Sequence, residues 1–164
     1  MRYLMALLML RAVPATAEEV EVDVELALLV DVSRSMGPAE LELQHRGCAE
    51  AIASDEVVGA ILNGFTGRIA VTYVEWAGYG LQRVIIAWTL IDSRNAAEAV
   101  SDKLTADFSI GMRRTSISGA IDFACGDMDR NGFAGPRRVI DISGDGPNNQ
   151  GHVVTEARDA AVAA

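Results

Sequence analysis

Apolar positions along the chain recur with two periods, and each marks a kind of element. Residues 20–30 (VEVDVELALLV) begin as an alternation and end as an unbroken apolar run. Alternation suits a strand with one exposed face, and a continuous run suits a strand covered on both. The run stops at a polar stretch, Asp31-Val32-Ser33-Arg34-Ser35-Met36-Gly37-Pro38. Pro38 fits the first turn of a helix, where its missing N–H is not needed. Leu41, Cys48 and Ile52 then share a helical face, while Glu40, Glu42 and Arg46 fall mostly elsewhere. Ser54-Asp55 supplies a cap for a second, short helix through Leu62.

Residues 68–76 (RIAVTYVEW) and 82–90 (QRVIIAWTL) are rich in β-branched and aromatic residues, and Ala77-Gly78-Tyr79-Gly80 separates them. That spacing predicts an antiparallel hairpin. Asp92 or Ser93 caps a helix running to about Leu104, and Ile117, Ile121, Ala124 and Met128 mark another over residues 117–128. A glycine-containing turn at 130–136 precedes a strand at 138–142, and a last helix begins near Val154. The predicted order is β-α-(α)-β-β-α-α-β-α. It implies an open, Rossmann-like α/β fold: a mostly parallel sheet, one antiparallel hairpin strand, and helices on both faces. No internal repeat, low-complexity segment or linker interrupts it.

Composition adds a boundary at the start. Residues 1–17 (MRYLMALLMLRAVPATA) combine a basic Arg2, a short apolar run and Ala15-Thr16-Ala17, the layout of a cleaved signal peptide. The run is too short to span a membrane. Residues 18–164 are therefore expected as one exported domain, periplasmic or secreted. The whole chain carries 23 acidic and 14 basic residues, a net charge of −9. Loss of Arg2 and Arg11 makes the exported part still more acidic. Such a chain is a poor general binder of nucleic acid, which needs a basic face. Two cysteines are too few for a disulfide scaffold. Cys48 and Cys125 are expected on helices on opposite sheet faces, as buried free thiols.

Functional groups of an open α/β sheet gather beyond the carboxyl ends of its strands. Three such loops carry small oxygen donors: Asp31-x-Ser33-x-Ser35, Thr115, and Asp145. Three hydroxyls and two carboxylates, with no Cys or His, suit a hard divalent cation such as Mg²⁺. Some of these groups would act through water, and at least one coordination position would stay open.

The string ALLVDVSRSM resembles the first strand and metal-binding turn of a von Willebrand factor A domain. The D-x-S-x-S motif of that family matches at Asp31, Ser33 and Ser35. Its separate threonine matches Thr115 in RRTSISGAI, and its later T-D-G turn matches only the Asp-Gly half of Ser143-Gly144-Asp145-Gly146. RIAVTYVEWAG and SISGAIDFA resemble strings of an exported bacterial group, domain of unknown function 1194. The resemblance implies a metal-ion-dependent adhesion site holding Mg²⁺ (or Mn²⁺ or Ca²⁺), and a protein partner whose carboxylate completes the coordination sphere. It implies no enzymatic activity. An A domain has two further strands and a last helix after the Asp-Gly turn, so the chain is expected to be C-terminally incomplete.

Two alternatives stay open. The haloacid-dehalogenase-like phosphatases also place an Asp after the first strand and a G-D-G turn after a late one, which Asp31 and Gly144-Asp145-Gly146 fit. Their general acid two residues on is Ser33 here, and an ordinary hydroxyl transfers protons poorly at neutral pH. The other alternative is a structural A-like domain that takes no metal. Two calcium-loop look-alikes start at Asp127 and Asp141. Each lacks the twelfth-position Glu, having Arg138 and His152 instead. His45 is expected on a solvated helix surface, His152 as a plain helix-start residue, and Trp76 and Trp88 as packing residues. Arg113-Arg114 is expected as a solvated pair. No feature specifies an oligomeric state.

Overall fold

A computed structural model describes residues 18–106 and 112–164. The segment expected to be a signal peptide lies outside the described residues. The elements run β1 (Val20–Glu21), β2 (Val24–Asp31), α1 (Pro38–Ala53), α2 (Asp55–Leu62), β3 (Ile69–Trp76) and β4 (Gln82–Ile91). After these come α3 (Arg94–Ala106), α4 (Ile117–Met128), β5 (Phe133–Ala134), β6 (Arg138–Ser143) and α5 (Val154–Ala163).

The main sheet has the order β4-β3-β2-β6. β2 pairs in parallel with both β3 and β6, and β3 pairs antiparallel with β4. This is the expected open, mostly parallel sheet with one hairpin strand. β2 is central, which explains its apolar run: Leu26, Leu28 and Val30 face one layer, and Ala27 and Leu29 the other. On the first face, Ala49 and Ile52 of α1, Val58 and Ile61 of α2, and Ala97, Val100 and Leu104 of α3 close the core. On the second, Ala120, Ala124 and Met128 of α4 pack over Val74 and Trp76. Cys48 and Cys125 are free thiols, as expected, but each is only half-buried.

Three local expectations change. The strand foreseen at 20–30 breaks at Asp23, whose carboxylate accepts hydrogen bonds from the backbone N–H groups of Thr66 (2.8 Å) and Gly67 (3.0 Å). These bonds, Thr66's foremost, hold the Asp23 pKa below its ordinary value. The turn at 130–136 contains β5, which pairs in parallel with β1. His45 is buried, with 1% exposure. It continues the stripe Leu41, His45, Ala49, Ile52 at helical spacing. Its Nε2 lies 3.2 Å from Glu75 Oε1, and its ring meets Tyr73 edge-on. A charged helix carried one polar residue on its apolar stripe, and the buried acid across the interface, with the Leu104 carbonyl 3.4 Å from Nδ1, gives it partners there.

Candidate metal centre

β2 ends at Asp31, directly opposite Trp76 of β3, and the chain then leaves the sheet. The side chain of Asp31 is fully buried. Its Oδ1 accepts the backbone N–H of Ser33 at 2.7 Å, a local Asx-type bond that turns the loop. Its Oδ2 is buried with no hydrogen-bond partner among the described residues. Burial raises the Asp31 pKa and the nearby Asp145 charge adds to this, while the hydrogen bonds from Ser33 oppose it. A buried carboxylate oxygen with nothing to bind is costly, because it has lost water and gained no donor.

The other groups converge on the same rim. The hydroxyls of Ser33 and Ser35 lie 2.9 Å apart, and Ser35 donates to Asp145 Oδ1 at 2.8 Å. Asp31, Ser33, Ser35 and Asp145 thus form one hydrogen-bonded row, although 110 residues separate the last two. Gly144 leaves the space beside Asp31 open. A Cβ there would stand 3.1 Å from Asp31 Oδ2 and 3.3 Å from the Trp76 ring.

Thr115 is buried just before α4, and a Cβ on Gly146 would lie 3.7 Å from its hydroxyl. The backbone N–H of Met112 donates to Val32 at 2.8 Å, drawing this approach against the Asp31 loop. A clasp then locks Thr115. Its N–H donates to Asn149 Oδ1, and its carbonyl accepts from the N–H groups of Asn149 and Gln150. Ser116 caps α4 through Gly119 N–H and donates to the Gln150 carbonyl. The sequence reading missed the Asn149-Gln150 clasp. Its signal was the polar run GDGPNNQG, which is longer than a simple turn requires.

Among the described residues, no group of three or more His, Cys, Asp and Glu side chains is placed to hold a metal ion. The side chains joined here are instead two carboxylates and two hydroxyls, all hard oxygens, and the Thr115 hydroxyl lies beside Gly146 of the Asp145 loop. The unpartnered Asp31 oxygen and the open space at Gly144 fit a small hard cation. The calcium-loop look-alike at Asp127 does other work: Asp127 accepts from Trp88 Nε1, and Asp129 pairs with Arg138. His152 is more than a helix-start residue, since its Nε2 lies 2.8 Å from Asp122 Oδ2.

Residues 21–164 match a family described as "Protein of unknown function (DUF1194)". The chain belongs to that family. No curated protein matches it at a significant level. Among solved structures it is similar to proximal thread matrix protein 1 from the mussel byssus with a zinc-occupied MIDAS motif. That match has a TM-score of 0.67 and 18% identity, over 90% of this chain and 37% of the other. It is also similar to the vWF domain of the type V pili tip protein Mfa5 from Porphyromonas gingivalis (TM-score 0.53, 15% identity, 77% and 39% of the two chains). A third similarity is to the conserved hypothetical protein BatB from Bacteroides thetaiotaomicron (TM-score 0.55, 22% identity, 85% and 62%). At these identities the likeness establishes the fold, which is that of a von Willebrand factor A domain. The DUF1194 chain spans between 37% and 62% of the length of these three structures.

Proposed function

We propose that this chain is an exported protein-interaction module of the adhesion type, working through a bound divalent cation and not as an enzyme. Asp31, Ser33, Ser35, Thr115 and Asp145 would hold Mg²⁺, or Mn²⁺ or Ca²⁺ in its place. The observation that carries the reading is the buried Asp31 Oδ2, which has no partner among the described residues and faces the space left by Gly144. The zinc-occupied MIDAS motif of the byssus protein supports a divalent metal on this fold.

The chain's own groups set up the site. The Ser33 N–H fixes one Asp31 oxygen and so aims the other. The hydroxyls of Ser33 and Ser35 can rotate from bonding each other to presenting lone pairs. The Asn149-Gln150 clasp holds the Asp145 loop against Thr115. When bound, the cation supplies an electropositive open position that favours a carboxylate from a protein partner. Among the described residues no helix is long and apolar enough to cross a membrane, and the localisation proposed is periplasmic or secreted.

Calorimetric titration with Mg²⁺ and Mn²⁺, beside a Ser33→Ala/Ser35→Ala variant, tests the reading. Saturable binding by the parent chain and a loss of about tenfold or more in the variant is the expected result. Equal, negligible heats in both would leave only a structural A-like domain.

A further inference from the structure

The chain is acidic overall, yet the rim of the candidate metal centre carries three arginines. Arg34 sits between Ser33 and Ser35, and Arg113 and Arg114 directly precede Thr115. The fold brings them together, because Ser33 bridges in parallel with Met112 and so sets Arg34 beside Arg113. All three are exposed. Arg46, Arg83, Arg94, Arg138 and Arg158 each pair with an acid of the same chain. Arg34, Arg113 and Arg114, like Arg68, Arg130 and Arg137, have no ion pair or side-chain hydrogen bond among the described residues; what sets the three apart is their place together on this rim.

Arg114 adds a second observation. At φ 72° it is the one non-glycine residue with positive φ among the described residues. A bulky side chain is held in that left-handed conformation only where its surroundings insist. Here it lies over Gly78, whose Cβ position would be 3.4 Å from that of Arg114 and 3.0 Å from the Arg113 carbonyl. Tyr79, 64% exposed, continues this edge.

We propose that these three arginines form the specificity rim of the site and select a partner segment rich in Asp and Glu, not merely one isolated carboxylate. The inference rests on the metal-centre reading above. Three guanidinium groups and a divalent cation outweigh the two site carboxylates and Glu40, whose carboxylate accepts from the Gly37 N–H on the same loop, so these charges sum to positive. Acids elsewhere on the surface are screened beyond about 10 Å at ordinary ionic strength. Guanidinium groups match carboxylates with paired, charge-assisted N–H bonds. One carboxylate takes the open cation position, and its neighbours along the partner segment meet the arginines.

The test uses the purified chain and a fluorescein-labelled oligo-aspartate peptide, read by anisotropy in Mn²⁺ and in EDTA. An Arg34→Ala/Arg113→Ala/Arg114→Gly variant is compared, with glycine chosen to accept the positive φ. Mn²⁺ affinity is measured separately without peptide. The expected result is Mn²⁺-dependent peptide binding that weakens about tenfold or more in the variant. Its Mn²⁺ affinity stays unchanged or tightens, since positive charge has been removed; a collapsed site would lose both. A parent chain that takes no Mn²⁺ sinks the metal reading itself. A parent chain that takes Mn²⁺ but binds the peptide equally with and without the arginines overturns this inference alone. Tighter binding of a phosphoserine peptide or a sulfated polysaccharide than of oligo-aspartate overturns it too.

Discussion

The two ends of β2 each bury a carboxylate, and the surroundings treat the two differently. At the first end Glu25, 3% exposed, has both oxygens occupied. Asn131 Nδ2 donates to one at 2.6 Å and the Gly135 N–H to the other at 2.9 Å, with Arg138 Nε 4.0 Å away. At the other end Asp31, 0% exposed, has one oxygen bonded to Ser33 N–H and one with no partner among the described residues. A third buried acid, Glu75, sits between His45 and Arg83. Burial alone therefore does not mark a functional acid. Glu25 and Glu75 use internal donors to tie distant segments together. Asp31 keeps an acceptor without a partner among the described residues at the carboxyl end of the central strand, where the proposed cation would bind.

The contrast is best broken from the structural side first. Glu25→Ala removes the acceptor for Asn131 and for the Gly135 N–H, and should cost about 3 kcal/mol in urea unfolding. Its affinity for Mn²⁺ should be unchanged while it remains folded. A Glu25→Ala chain as stable as the parent would mean that the filled hydrogen bonds count for little. Gly144→Ala attacks the other end. A methyl group 3.1 Å from Asp31 Oδ2 should lower Mn²⁺ affinity by about tenfold, roughly 1.4 kcal/mol, in a calorimetric titration. Asp31→Asn sharpens the comparison from within. It removes a buried charge that burial already disfavours, so metal-free stability should hold or rise by about 1 kcal/mol. A clear loss of metal-free stability would instead make Asp31 a structural acid like Glu25.

The smallest expected effect concerns pH. His152 bonds Asp122 and lies near Glu156, and the Asp122 hydrogen bond chiefly raises its pKa above the ordinary 6.5. A raised folded-state pKa on a base stabilises the protein fully below about pH 6.5 and loses that contribution as pH rises through the folded value. The urea midpoint gap between parent and Asp122→Asn should thus be widest near pH 6 and narrow towards pH 9. A gap that widens with pH would contradict the pairing.

The main sheet and its helices were legible because their signals are local. The apolar run in ALLV, the hairpin glycines and the Ile117-Ile121-Ala124-Met128 stripe each sit within one element. The D-x-S-x-S turn was legible for the same reason: three donors on one loop at the end of one strand. What the residues could not show was pairing across distance. Glu25 is the last polar position of the alternation in residues 20–30, and nothing nearby in the chain marks it as buried, because its partners Asn131 and Gly135 come more than 100 residues later. His45 looked solvated because Glu75 belongs to another element. β1 and β5, two residues each, exist through their mutual pairing and have no periodicity to read.

The claim that Asp31 holds an unspent acceptor for a cation is tested most directly by unfolding with and without Mn²⁺. A ligand that binds only the folded state stabilises it by about 2.7 kcal/mol at a hundred times its Kd. The parent chain should gain stability as Mn²⁺ rises, by an amount that follows the Kd from calorimetry, and Asp31→Asn should gain nothing. No gain in either chain, or an equal gain in both, would contradict the account.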